Sequence, residues 1–159
     1  MALEPLSAHI LRLTRLEAAR YNRSRRCRRE VVMRTIQITA GDVTVIAELD
    51  DSKTADAIWQ ALPIEARANT WGDEIYFGID VHLDAEDPRE VVDLGDVGYW
   101  PPGHAFCLFF GRTPMSLGNE IRPASPVNVF GRIQGDATVL REVASGATVR
   151  IEPADESAS

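Results

Sequence analysis

The chain has 159 residues, of which 45% are hydrophobic and 26% are charged, a composition typical of one globular domain with a single core. Its eleven Gly and nine Pro follow no fixed period, which excludes collagen-like and low-complexity classes, and its longest apolar run, 105–110, is far short of the roughly 20 residues that span a bilayer. The net charge of -7 divides into +5 for residues 1–32, from eight Arg and three Glu, and -12 for the rest, which repels nucleic acid phosphates.

Residues 1–32 form a basic stretch whose apolar side chains recur at helical spacing. On a helical wheel, Leu3, Leu6, Ile10 and Leu13 lie opposite Arg12, Arg15, Arg20, Arg23 and Arg26. Such a stretch is consistent with a membrane-surface helix, with an Arg-rich targeting segment, or with a segment upstream of the true domain. We favour the third, in which Met33 is the true start and residues 1–32 are disordered or not made. The intact mass of the native protein distinguishes these alternatives.

Four Gly-Asp dipeptides mark predicted tight turns, and glycine at the first turn position suits type II′ reversals. They begin at Gly41, Gly72, Gly95 and Gly135. Apolar residues alternate in 36–38 and again in 43–49 on either side of the first dipeptide, which predicts a hairpin with one buried face. Residues 68–71 and 75–79 flank the second dipeptide and supply the aromatic residues expected of strands, namely Trp71, Tyr76 and Phe77.

One short helix is predicted in the acidic part, capped by Ser52 or Thr54 and ended by Pro63. Further strands are expected at 97–100, 105–110, 127–133 and 148–151. About eight short strands joined by tight turns have too many edges for an open sheet, and closure removes those edges. We therefore predict a mainly β fold, a closed β-barrel of about eight strands over residues 33–152, followed by a disordered acidic tail at 153–159.

The residues that distinguish this chain lie in four stretches, 70–77, 95–111, 112–114 and 120–128. Together they resemble the prokaryotic cyclophilin-like proteins, a family without an established activity. The resemblance covers residues 33–152 and implies a compact β-barrel similar to that of the cyclophilin peptidyl-prolyl isomerases. The ordinary cyclophilin signature segments are absent from this sequence, so isomerase catalysis is not implied by motif.

The stretch 99–104, Tyr-Trp-Pro-Pro-Gly-His, has two interpretations of equal weight. Two prolines and a glycine between apolar strands make a rigid turn, and structure alone explains them. Alternatively, Tyr99, Trp100 and His104 line the mouth of a preformed pocket, because aromatic walls with few polar groups hold small ligands or proline rings. Residues 105–110, apolar at every position, are expected in the core, with Cys107 as an inert thiol.

Polar side chains are dense between Glu120 and Asn128, where structure and catalysis offer competing explanations. In the structural one, which we favour, Glu120 pairs with Arg122 and Asn128 satisfies buried backbone groups. In the catalytic one, Arg122 or Arg112 hydrogen-bonds a prolyl amide and stabilises its twisted form, since prolyl isomerisation breaks no bond. No spacing distinguishes the two arginines.

Other chemistry has weaker support in the sequence. Asp80, His82 and Asp84 alternate as metal ligands on one strand face would, but an exposed acidic loop is the better interpretation, and we predict no metal site. Glu74 is most simply a hairpin charge. Phosphate-binding glycine loops are absent, so no cofactor is predicted. Because its two cysteines make no disulfide framework or Cys-x-x-Cys pair, we expect a reduced, cytoplasmic protein.

One Lys against 16 Arg, together with the acidic balance, suggests a protein adapted to concentrated salt. High salt screens the self-repulsion of an acidic surface. If the protein is halophilic, its denaturation midpoint rises from low to molar KCl. A midpoint that stays flat over that range removes the hypothesis.

The function predicted from the sequence is binding of a small molecule or a short peptide in an aromatic-lined cleft. The candidate binding residues are Trp71, Tyr76, Tyr99, Trp100, Phe110, Arg122 and Asn128. The alternatives are a peptidyl-prolyl isomerase that uses Arg122 and an interaction module that docks a protein partner on one barrel face. The sequence leaves the ligand and the oligomeric state open.

Overall fold

The computed structural model describes residues 34–154, so the predictions for residues 1–32 and for most of the acidic tail lie outside it. Within 34–154 no helix is long and apolar enough to cross a membrane. The described elements, in chain order, are β1 (Arg34–Ala40), β2 (Val43–Leu49), α1 (Lys53–Ala61), β3 (Ile64–Arg67), β4 (Asn69–Thr70), β5 (Glu74–Gly78), β6 (Asp96–Trp100), β7 (Ala105–Phe109), β8 (Asn128–Ile133) and β9 (Thr148–Pro153). Short 3-10 helices cover Pro101–Gly103 and Ala137–Glu142.

The nine strands form one antiparallel sheet in the order β3-β9-β1-β2-β8-β6-β7-β5-β4. The two edge strands, β3 and β4, are separated in sequence only by Ala68, so the sheet curls round until its ends nearly meet. Over residues 34–154, the predicted mainly β barrel with one α-helix is confirmed. β3, which was not predicted from the sequence, pairs with β9, and β9 itself runs to Pro153, one residue past the predicted domain boundary.

Local sequence explains the first hairpin and the helix. Gly41 has φ +58 while Asp42 does not have a positive φ, which fits the predicted type II′ turn and excludes type I′. Ser52 caps α1, its hydroxyl oxygen accepting a hydrogen bond from the backbone N–H of Ala55 at 3.1 Å. The Glu86 carboxylate accepts from the N–H groups of Lys53 and Thr54, and the hydrogen bonds from Thr54 hold the pKa of Glu86 below its ordinary value.

The main core fills the interior of the barrel. Phe77 and Phe106 stack there with ring centroids 5.2 Å apart, and Phe130 meets Phe106 edge-on at 5.4 Å. These rings come from β5, β7 and β8, so the interior packing joins strands that are distant in sequence.

A second, smaller apolar cluster lies on the opposite face of β7. Phe106 and Leu108 belong to the main core, whereas Ala105, Cys107 and Phe109 belong to the second cluster. All five residues of β7 are buried, which confirms the prediction that both of its faces are core. Ile121 and Val127, from the segment between β7 and β8, are among the residues that complete this cluster, and the candidate site lies beside it.

Candidate functional site

A cavity of about 140 Å³ lies between the outer face of strands β5, β6 and β7 and the segment that precedes β8. Apolar and aromatic side chains make up most of its wall, and one carboxyl group is set among them. The lining residues are Trp71, Glu74, Tyr76, Trp100, Cys107, Pro123, Ala124 and Val127. At Ala124, which is exposed, the cavity meets the solvent.

The strand register brings the floor of the cavity together. Glu74 and Tyr76 are two residues apart on β5, so their side chains share one face of the strand. Ile75 and Phe77 lie on the other face, in the main core. Tyr76 pairs with Cys107 on β7. On the other side, Cys107 pairs with Gly98 on β6, where an added Cβ would lie 3.2 Å from Cγ2 of Val127. Because Gly98 has no side chain, the segment that precedes β8, here called the covering segment, can approach the sheet closely.

Trp100 is held in place from two sides. Its indole Nε1–H donates a hydrogen bond of 2.6 Å to the Ser125 hydroxyl, which ties the ring to the covering segment. The backbone of Gly103 packs directly on the ring, since a Cβ there would lie 2.5 Å from its Cζ3 atom. The proline-rich turn thus positions one wall of the cavity, as well as joining β6 to β7.

Glu74 is the chemically unusual residue of the cavity. Only 5% of its surface is exposed, and its burial raises the pKa of the carboxyl from 4.5 to about 7. A hydrogen bond with the Cys107 thiol lowers that pKa in part, and Cys107 Sγ also lies 3.9 Å from the carbonyl oxygen of Ala105. Burial raises the pKa of Cys107 well above its ordinary value, and Glu74 raises it further, so the thiol stays protonated, in keeping with the inert thiol expected from the sequence.

No basic side chain in residues 34–154 forms an ion pair with Glu74. Near neutral pH the carboxyl therefore changes between a neutral acid that donates a hydrogen bond and a carboxylate that accepts one. The cavity therefore presents a group that changes its charge near neutral pH among mostly apolar walls.

Three of the seven residues predicted to line a cleft do lie together at this cavity, namely Trp71, Tyr76 and Trp100. Tyr99 and Phe110 lie in the main core instead. The Tyr99 hydroxyl donates to the Val81 carbonyl oxygen at 2.6 Å and accepts from the Leu83 N–H at 3.1 Å, so it anchors the segment after β5.

Asn128 and Arg122 also lie away from the cavity lining. The Asn128 side chain accepts from the Glu86 N–H at 2.8 Å and donates to the Asp84 carbonyl oxygen at 3.0 Å, which confirms that it satisfies backbone groups. Arg122 pairs with Glu120 at 3.3 Å, also as expected, and its backbone carbonyl accepts a hydrogen bond from Thr113.

His104 belongs to a different part of the surface. It takes a left-handed conformation with φ 47 after the 3-10 turn and lines an open concavity with residues 78–81. Its ring lies 4.1 Å from that of His82, whose Nε2 is 3.5 Å from Asp80 Oδ1. Residues 80–84 form no strand, and nowhere in 34–154 do three potential metal ligands gather.

Glu74 was not among the residues predicted to line a cleft and was interpreted as a hairpin charge, but the structure buries it in the cavity. The signal was the two-residue spacing between Glu74 and Tyr76 on a predicted strand, which places an acid on the same face as an aromatic residue. The missing information was that this face is covered by the segment before β8, which alternation alone does not show.

Comparisons with known proteins agree on the fold. A family model described as Cyclophilin-like matches residues 34–152. The solution structure of the hypothetical protein AF2241 from Archaeoglobus fulgidus is similar, with 46% sequence identity and a TM-score of 0.67 over 77% of this chain and 96% of the other. No curated protein matches the chain.

Proposed function

This chain belongs to the Cyclophilin-like family, and we propose that its barrel binds a small organic molecule in the cavity around Glu74. The observation that carries the proposal is a buried carboxyl group that has no ion-pair partner within residues 34–154 and is set among Trp71, Tyr76 and Trp100. Mostly apolar cavities with a few convergent polar groups are the usual form of ligand sites. Strongly shifted pKa values also cluster at functional sites.

The size of the cavity supports a small ligand. Its volume of about 140 Å³ is close to the roughly 150 Å³ that admits benzene in an engineered protein cavity. A single ring or a branched group of similar volume therefore fits inside the cavity. The rest of a larger molecule would extend into solvent past Ala124. The hydrogen bond from Trp100 to Ser125 keeps the walls in place without a ligand.

The geometry favours binding over prolyl isomerisation. The arginines considered for catalysis are engaged elsewhere, Arg122 with Glu120 and Arg112 with the Ser116 carbonyl oxygen at 3.4 Å, and neither lines the cavity. An isomerase would need one of these guanidinium groups to reach a bound proline. Docking of a protein partner on the barrel surface stays a prediction.

Binding can be read from the three tryptophan indole N–H signals in an NMR spectrum of the full chain. The probes are benzylammonium, benzyl alcohol and benzoate, which carry the charges +1, 0 and -1 on similar single rings. We expect at least one probe to shift the signals of Trp71 and Trp100. Trp59 is the internal control because it lies on α1, where it packs against Arg34.

A variant that fills the cavity mouth makes the test specific. Ala124→Phe places a ring at an exposed lining position, so we expect at least a tenfold loss of probe affinity with little change in stability. Ala144→Phe, at an exposed position outside the lining, is the matched control and keeps the affinity of the unmodified chain. The proposal fails if no probe shifts Trp71 and Trp100, or if Ala124→Phe binds as well as Ala144→Phe.

A further inference from the structure

We propose that the ligand is an organic cation, an alkylammonium or quaternary ammonium group enclosed by Trp71, Tyr76 and Trp100 with its charge against the Glu74 carboxylate. This inference rests on the proposed function and names the chemical class that the same cavity selects. Two independent features of the cavity carry it, the unbalanced charge and the aromatic wall.

Within residues 34–154, no positively charged side chain balances the carboxylate of the cavity. Among its lining residues, all within 34–154, Glu74 is the one acid, and there is no Arg, Lys or His. A buried carboxylate without a cation is costly because it has left water without gaining an opposite charge. A cationic ligand supplies the opposite charge and stabilises the ionised carboxylate. A neutral ligand leaves the carboxyl protonated, and an anionic ligand is repelled by the carboxylate.

The aromatic wall is suited to the same charge. A ring presents a negative face to a nearby cation, and this attraction grows when both are removed from water. The three rings come from different elements, with Trp71 before β5, Tyr76 on β5 and Trp100 at the end of β6. Because the indole N–H of Trp100 is already bound to Ser125, this residue offers the cavity its ring surface rather than a donor.

The neighbouring charged groups do not compensate for Glu74. The titratable side chains that share its cavity are Tyr76 on the same strand and Cys107 on β7, and neither supplies a positive charge. The next acids are already paired, Asp96 with Arg132 at 3.3 Å and Asp73 with Arg141 at 3.3 Å. The charge of -12 beyond residue 32 also draws cations towards the domain.

Cation binding must compete with the proton on Glu74. With a pKa of about 7, the carboxyl is almost entirely protonated at pH 5 and mostly ionised at pH 8. A permanent cation should therefore bind about 100-fold more tightly at pH 8 than at pH 5 and should release a proton when it binds. A neutral molecule of the same shape does not gain affinity as the pH rises.

The test compares choline with 3,3-dimethylbutan-1-ol, its uncharged carbon analogue, by isothermal titration calorimetry on the full chain. Choline does not titrate in this range, so any pH dependence belongs to the protein. We expect choline to bind at least tenfold more tightly than the alcohol at pH 8 and to lose about 100-fold in affinity at pH 5. Glu74→Gln should remove both the preference and the pH dependence, while Glu90→Gln, at an exposed position, should keep both.

The outcomes separate this inference from the proposed function. If choline and the alcohol bind equally at both pH values, or if benzyl alcohol binds and choline does not, the cation is rejected and the cavity remains a ligand site. If Glu74→Gln keeps the preference for choline, the assignment to Glu74 is wrong. If none of the three benzyl probes binds, the proposed function is rejected, and this inference, which rests on it, is rejected as well.

Discussion

We expect Glu74→Gln to stabilise the protein by about 3 kcal/mol at pH 8 and to leave its stability at pH 4 almost unchanged. In the folded state, burial raises the pKa of Glu74 from its ordinary value of 4.5 to about 7, so the folded state binds the proton more tightly than the unfolded chain. The stability of the unmodified protein therefore falls as the pH rises from 4.5 to 7, and the loss is complete above pH 7. Glutamine stays neutral and has no such loss.

Urea denaturation of both proteins between pH 4 and 8 measures this difference. Glu90→Gln removes one negative charge at an exposed position and controls for the change in net charge. A difference between Glu74→Gln and the unmodified protein that is constant over this pH range would show that burial of the carboxyl does not govern its ionisation.

A second large effect is expected at Asn128, where Asn128→Ala should destabilise the fold by about 3 kcal/mol. The side chain is 1% exposed and joins β8 to residues 84–86, and it also donates to the Thr54 hydroxyl at 3.3 Å. Its loss strands the Glu86 N–H and the Asp84 carbonyl oxygen in a part-buried region, and an unsatisfied polar group costs more than a lost hydrogen bond.

Thermal or chemical denaturation gives the size of this effect, and Asn119→Ala, at an exposed position, should stay within about 0.5 kcal/mol of the unmodified protein. Because Asn128 does not line the cavity, the affinity for the benzyl probes should change less than twofold in Asn128→Ala. If Asn128→Ala is as stable as the unmodified protein but no longer binds the benzyl probes, Asn128 is part of the ligand site and the structural assignment is wrong.

The elements that the sequence predicts best are those with local causes. The alternation before Gly41 and after Asp42 defines both the turn and the buried face of the β1–β2 hairpin, because each residue's side is set by its distance from the turn. Ser52 and Pro63 bound α1 for equally local reasons, a cap at one end and a missing N–H near the other. The apolar run at β7 indicates burial on both faces before any partner is known.

The candidate site is harder to predict because its residues meet only through long-range pairing. Trp71, Tyr76 and Trp100 were expected at a cleft as aromatic residues in distinctive stretches, and they do share one cavity. Tyr99 is also aromatic, but it is adjacent to Trp100 on β6, so its side chain lies on the opposite face of the strand, in the core. Which face of β6 would be covered by the segment before β8 is a property of the whole barrel.

The sequence by itself determined a mainly β barrel, its first hairpin, its capped helix and its doubly buried strand, because periodicity, capping and turn chemistry act over a few residues. Only the tertiary structure decided that Glu74 is buried beside Cys107 and three aromatic rings. Burial of an acid depends on what packs over it, and here that cover comes from Pro123 to Val127, about fifty residues further along the chain.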